Sequence, residues 1–168
     1  MTACTLRVQV ILDGGWLPIK KLKGTEPVES LDLSGKNLGV ASAIVIARLI
    51  SANGALTVTN LLRNVLDANS AIQLAKVAKQ KGISLCGIQR DQTTANFSNK
   101  DLKPPDLILL ASDLSQASVT GRLTSLDVSD NELCGLEKRG SGTYTTKGIT
   151  AIADALRVNG ALTQVLAF

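Results

Sequence analysis

Histidine is absent from the 168 residues. That removes the commonest general base near neutral pH and the commonest metal ligand, so thiols and carboxylates are left to carry any chemistry. The three cysteines, Cys4, Cys86 and Cys134, are an odd number at unrelated spacings, which argues against a disulfide framework and fits a reducing compartment. Cys86 falls at an inward strand position and Cys134 follows an inward leucine, so both read as small buried apolar groups. Asp127 and Asp130 form a carboxylate pair, but strand alternation and exposure give neither a reason to hold a proton. The string Gly140-Ser141-Gly142 with Lys147-Gly148 has the composition of a phosphate loop without its order, GxxxxGK followed by Ser or Thr. Asn96-Phe97-Ser98 matches a glycosylation acceptor by pattern only. The expectation is a non-enzyme with no metal and no cofactor.

Charge and composition narrow the partner. The net charge is +4 and the isoelectric point about 9.1, but the basic residues are scattered. A nucleic-acid binder gathers Lys and Arg on one face, with aromatics between them for single strands, so nucleic acid is not expected. One Trp, one Tyr and two Phe leave the core to Leu, Ile, Val and Ala. The N-terminal apolar run, Val8 to Leu12, is interrupted by Gln9 and too short for a signal peptide, and no span approaches eighteen apolar residues. A cytoplasmic protein without a membrane partner is expected.

The elements that must position any site are repeated. Residues 28–56, VESLDLSGKNLGVASAIVIARLISANGAL, begin with apolar alternation and switch to helical spacing. The pair Ile46-Ala47 returns as Leu74-Ala75, Leu110-Ala111 and Ile152-Ala153. Leu38, Leu66 and Leu102 precede the first three by eight residues, and Leu133 precedes the last by nineteen, which marks an insertion at 136–146 (LEKRGSGTYTT). LTSLDVSDNEL, from Leu123 to Leu133, follows the LxxLxLxxNxL pattern. With a period of 28, this grammar resembles the leucine-rich repeat family of the ribonuclease-inhibitor type. The resemblance implies an α/β solenoid: a right-handed superhelix in a short horseshoe arc, with a parallel concave sheet and convex helices. It also implies that Asn131, and Asn64 in the same place, hydrogen-bond turn backbone. Lys36, Asp91 and Lys100 stand there in other repeats, so this ladder is incomplete.

Residues 1–27 do not fit the repeat and read as an N-terminal cap, with Trp16 as packing material. Repeats then occupy 28–168, irregular around 83–105, where Ile83, Cys86 and Ile88 have strand spacing before a second strand-like piece, Ala95 to Phe97. Helices are predicted over 41–51, up to Gly82, over 106–114 behind Pro104-Pro105, and over 148–158. Asn53-Gly54 reads as a left-handed helix end. Thr59 stands where a core leucine is expected.

On that architecture the outward strand residues line one concave face. Glu29, Asp32, Asn60, Arg63, Gln89, Arg90, Asn96, Ser98, Asp127 and Asp130 are the candidate contacts there, and Lys138, Arg139 and Tyr144 those of the inserted loop. The function expected is a non-enzymatic protein–protein interaction module. The resemblance implies two alternatives: an accessory activator of small GTPases, with Arg63 and Arg90 as strand-face guanidiniums, or the ligand-sensing fragment of a larger receptor. The final strand-like segment, ending at Phe168, exposes an edge expected to pair two copies as a homodimer or to continue into a longer array.

Overall fold

The computed structural model describes residues 9–136 and 141–167. Cys4, Lys138, Arg139 and Phe168 lie outside them. The chain enters with a hairpin, β1 (Gln9–Leu12) against β2 (Gly15–Pro18). Asp13 and Gly14 join the strands with φ of 53° and 86°, the doubly left-handed turn whose twist matches that of paired strands. The pleat sends Leu17 into the core, so its neighbour Trp16 must face outward. Trp16 is 46% exposed, and the expectation that it serves as packing is corrected.

After a short helix α1 (Ile19–Lys23), strands and helices alternate: β3 (Ser30–Asp32), α2 (Val40–Ala52), β4 (Val58–Asn60), α3 (Ala68–Lys81), β5 (Thr94–Asn96), α4 (Pro104–Leu114). Then come α5 (Ala117–Thr120), β6 (Ser125–Asp127), α6 (Lys147–Val158) and β7 (Gln164–Leu166). The helices stack in a row, α2 on α3, α3 on α4 and α4 on α6. Leu38, Ile46, Leu74, Leu102, Leu110 and Leu126 are fully buried between this row and the strands. Thr59 is buried too, its hydroxyl donating to the Leu31 carbonyl at 3.1 Å, which lets a polar residue take an apolar place.

Helix ends follow local chemistry. Asp67 caps α3 by accepting from Ser70 N–H at 2.8 Å, and Gly82 closes that helix at φ 67°. Proline occupies the first turn of α4, where no donor is needed. Asn53 is not left-handed as expected: its φ is −76°. It ends α2 with its side chain instead, accepting from Ala55 and Leu56 N–H and donating to the Lys21 and Leu22 carbonyls. Asn159 does the same after α6, accepting from Ala161 and Leu162 and donating to the Leu114 carbonyl.

The strands overturn the expected superhelix. Among the described residues they form three small sheets: β1–β2, the parallel pair β3–β4, and the parallel triplet β5–β6–β7. No continuous concave sheet and no solenoid arc joins them, so the described residues form an α/β arrangement of seven short strands and six helices rather than a leucine-rich repeat horseshoe. The physical reason lies at 83–93. Ser84 and Cys86 make only isolated bridges to β4, parallel at Val58 and antiparallel at Asn60. Gly87, at φ 78°, then turns the chain away. The amides of Leu85 and Cys86 donate to the buried carboxylate of Asp113 on α4, at 2.8 and 3.0 Å. Donors held by a side chain are not available to a neighbouring strand.

Candidate interaction surface

The strand ends repeat one local device. Asp32 Oδ1 accepts from Ser34 N–H at 2.9 Å and Ser34 Oγ–H at 2.7 Å. Asn96 does so with Ser98, at 2.9 and 2.7 Å, and Asp127 with Ser129, at 3.0 and 2.6 Å. Asn60 accepts from Leu62 N–H at 3.2 Å. These are Asx turns, in which a short side chain satisfies backbone that the departing strand has released. They hold Asp127 below the ordinary carboxylate range, chiefly through the Ser129 hydroxyl and amide. The spacing Asx-x-Ser at 32–34, 96–98 and 127–129 was the available signal. Asp32, Asn60, Asn96, Ser98 and Asp127 therefore shape the turns from which the surface is built.

One residue beyond each turn the backbone is left-handed: Gly35, Arg63, Asn99 and Asp130 have φ of 60°, 61°, 51° and 56°. The next position carries the polar clamp where it is asparagine. Asn64 Oδ1 accepts from Lys36 and Leu38 N–H, both at 3.0 Å, and its amide donates to the Leu33 and Leu61 carbonyls. Asn131 makes the corresponding bonds to Lys100, Leu102, Phe97 and Val128.

The expected single face is divided by the break between sheets. Glu29, Asp32 and Asn60 belong to the β3–β4 side and Asn96, Asp127 and Asp130 to the β5–β6 side. Gln89 and Arg90 are exposed on the irregular segment, where Arg90 Nη2 donates to the Gly82 carbonyl at 3.4 Å.

Arg63 faces elsewhere in company. It lines a cleft of about 820 Å³ with Lys103 and Lys147, and with Thr143 and Thr145 of the insertion. The first residues of α3, α4 and α6 form its walls. The insertion is folded back at its base: Leu136 bridges Gly142, and Thr145 N–H donates to the Cys134 carbonyl at 2.9 Å. A Cβ on Gly142 would collide with the Gly135 carbonyl, so glycine is what allows that crossing. Tyr144, between the two cleft threonines, is 62% exposed.

Of the three acidic residues that line the cleft, Asp106 and Asp67 are engaged in the fold, while Asp101 is exposed. Asp106 is buried and accepts from Arg63 N–H at 2.8 Å and Lys103 N–H at 2.9 Å; burial pushes its carboxyl up against the pull of those bonds. Asp67 caps α3, and its hydrogen bonds to Ser70 hold it below the ordinary value. Among the described residues Arg63, Lys103 and Lys147 make no ion pair. Lys103 was missed in the sequence, where it looks like an isolated surface lysine, and Lys147 was weighed there only within a phosphate-loop-like string and set aside. Their signal was position, one residue before Pro104 and one before Gly148, at the starts of neighbouring helices.

No family model matches the sequence, and no curated protein matches it. Among solved structures the chain is similar to one described as Leiomodin-1 Actin-Binding Site 2 (ABS2). The TM-score is 0.51 and the identity 15%, over 90% of this chain and 77% of that one. This is a likeness of fold alone. No helix among the described residues is long and apolar enough to cross a membrane, and no group of three or more His, Cys, Asp or Glu among them could hold a metal ion.

Proposed function

We propose that this chain is a non-enzymatic protein-interaction module whose partner docks at the cleft between the helix starts. The observation that carries the reading is convergence: Arg63 from the strand turns and the insertion around Tyr144, singled out separately in the sequence, border one concavity. Arg63, Lys103 and Lys147 supply charge there, and Tyr144 supplies a large side chain with a polar tip, a combination favoured in interface anchors. An acidic protein surface is the complement. The likeness to a structure described as an actin-binding site makes actin the first partner to assay.

The test is affinity capture with the wild type and with the triple variant Arg63→Glu, Tyr144→Ala, Lys147→Glu, together with a binding assay against monomeric and filamentous actin. The expected result is a partner retained by the wild type and lost by the triple variant, with both proteins giving the same thermal unfolding. Identical retention by the two would remove the cleft from the binding surface. Absence of actin binding would remove actin while leaving the cleft to the captured partner.

A further inference from the structure

A second concavity lies on the helical side, away from the cleft. It is a groove of about 490 Å³ floored by α4 and walled by α3 and α6. On α3 its lining residues are Ile72, Ala75, Lys76 and Lys79; α4 and α6 contribute the same i, i+3, i+4, i+7 pattern starting at Ile108 and Ala151. That spacing is one helix face repeated. The three helices run in the same direction, since all three begin at the cleft. The floor is closed by small residues, Ala111 and Ser112 being buried. The rims stand open: Ile72 is 49% exposed on one wall and Val158 70% on the other.

The charges on the two walls have opposite sign. Lys76 and Lys79 are exposed on α3 and make no ion pair among the described residues, while Asp154 is exposed on α6. Among the described residues Asp154 makes an ion pair only with Arg157 of its own helix, at 4.0 Å, with both side chains largely exposed, an arrangement that holds it weakly. We propose that this groove is the contact face for a second copy of the chain, forming a two-fold dimer. A two-fold axis running along the groove lays α3 of each copy over α6 of the other, and Lys76 of each then faces Asp154 of the other. The alternative in-plane axis, across the groove, would set lysine against lysine and aspartate against aspartate. Charge therefore selects one of the two closed arrangements, and the contact is self-complementary as a two-fold interface must be. The exposed apolar rims leave water in the same step.

Sedimentation velocity of the full chain over a dilution series tests this. The wild type is expected to dissociate from dimer to monomer on dilution. Lys76→Glu and Asp154→Lys are each expected to weaken dimerisation about tenfold or more, since each replaces attraction by repulsion, and the double variant is expected to recover it. Both positions are exposed, so circular dichroism should show unchanged folding. A wild type that stays monomeric at every concentration overturns the proposal and leaves the groove to a different protein. A dimer unaffected by both single changes also overturns it and moves the contact elsewhere, the second edge of β7 being the next place to look.

Discussion

Arg63 holds a backbone conformation that the corresponding turns give to Gly35, Asn99 and Asp130. A left-handed φ costs an ordinary L-residue about 1 kcal/mol or more, while Gly takes it freely and Asn or Asp with local help. Arg63→Gly is therefore expected to raise stability by about 1 kcal/mol in a denaturant titration, because the hydrogen bond to Asp106 uses the backbone N–H and survives. The same change should weaken partner binding if the cleft is the contact. Asp113 presents the opposite problem, a carboxyl with no exposure. Burial pushes it up to about 6 from 3.8 despite the bonds from Leu85, Ser84 and Cys86. The folded state thus binds its proton more tightly than the unfolded chain. The resulting stabilisation is complete below pH 3.8 and is lost as pH rises through about 6, a fall of about 3 kcal/mol at roughly 1.4 kcal/mol per pH unit. Asp13, Asp67 and Asp127 act in the other sense, their contribution disappearing as pH drops below the ordinary carboxylate range. Urea midpoints measured from pH 4 to pH 7 should therefore decline for the wild type and lie flatter for Asp113→Asn.

At the scale of elements, periodicity and punctuation made much of the chain readable. Helical periodicity and end signals placed α2, α4 and α6, and the end of α3, to within a residue or two; α2, α3 and α6 bury one face, whereas nearly every residue of α4 is buried. Asn131 was readable for its turn. What could not be read was the use of side chains across elements. Nothing local distinguishes Asp113 from a solvent-facing helical acid, yet it lies inward and holds the amides that would have extended a strand. Asn53 and Asn159 looked like simple helix stops, and each clamps a neighbouring element some thirty to forty-five residues away. Such clamps make a prediction. Asn131→Ala leaves the Lys100 and Leu102 amides and the Phe97 and Val128 carbonyls without their partner, which should lower stability by about 2 kcal/mol or more. Lys36→Ala, at the same place in another turn, should change it by less than about 0.5 kcal/mol, as an exposed substitution does. Thermal melts of the two variants side by side would show the difference.

Across the whole molecule, the core is one aliphatic body even though the sheets are three. Leu110 and Leu126 lie fully buried in it, from opposite layers. Leu110→Ala and Leu126→Ala should each lower unfolding free energy by about 2 to 5 kcal/mol, while Ile44→Ala, on the exposed side of α2, should be nearly neutral. Equal losses at all three positions in guanidinium titrations would contradict this division of inside from outside. The break at 83–93 has a further bearing, on how the native state comes apart. A strand that frays at the β7 end can loosen β6 and β5 in turn, but the zipper stops there, and fraying from the β3 side meets the same gap. Deuterium uptake should then resolve two blocks of slow amides, one on each side of the gap. Leu85 and Cys86 would sit between them, slow to exchange without belonging to any sheet.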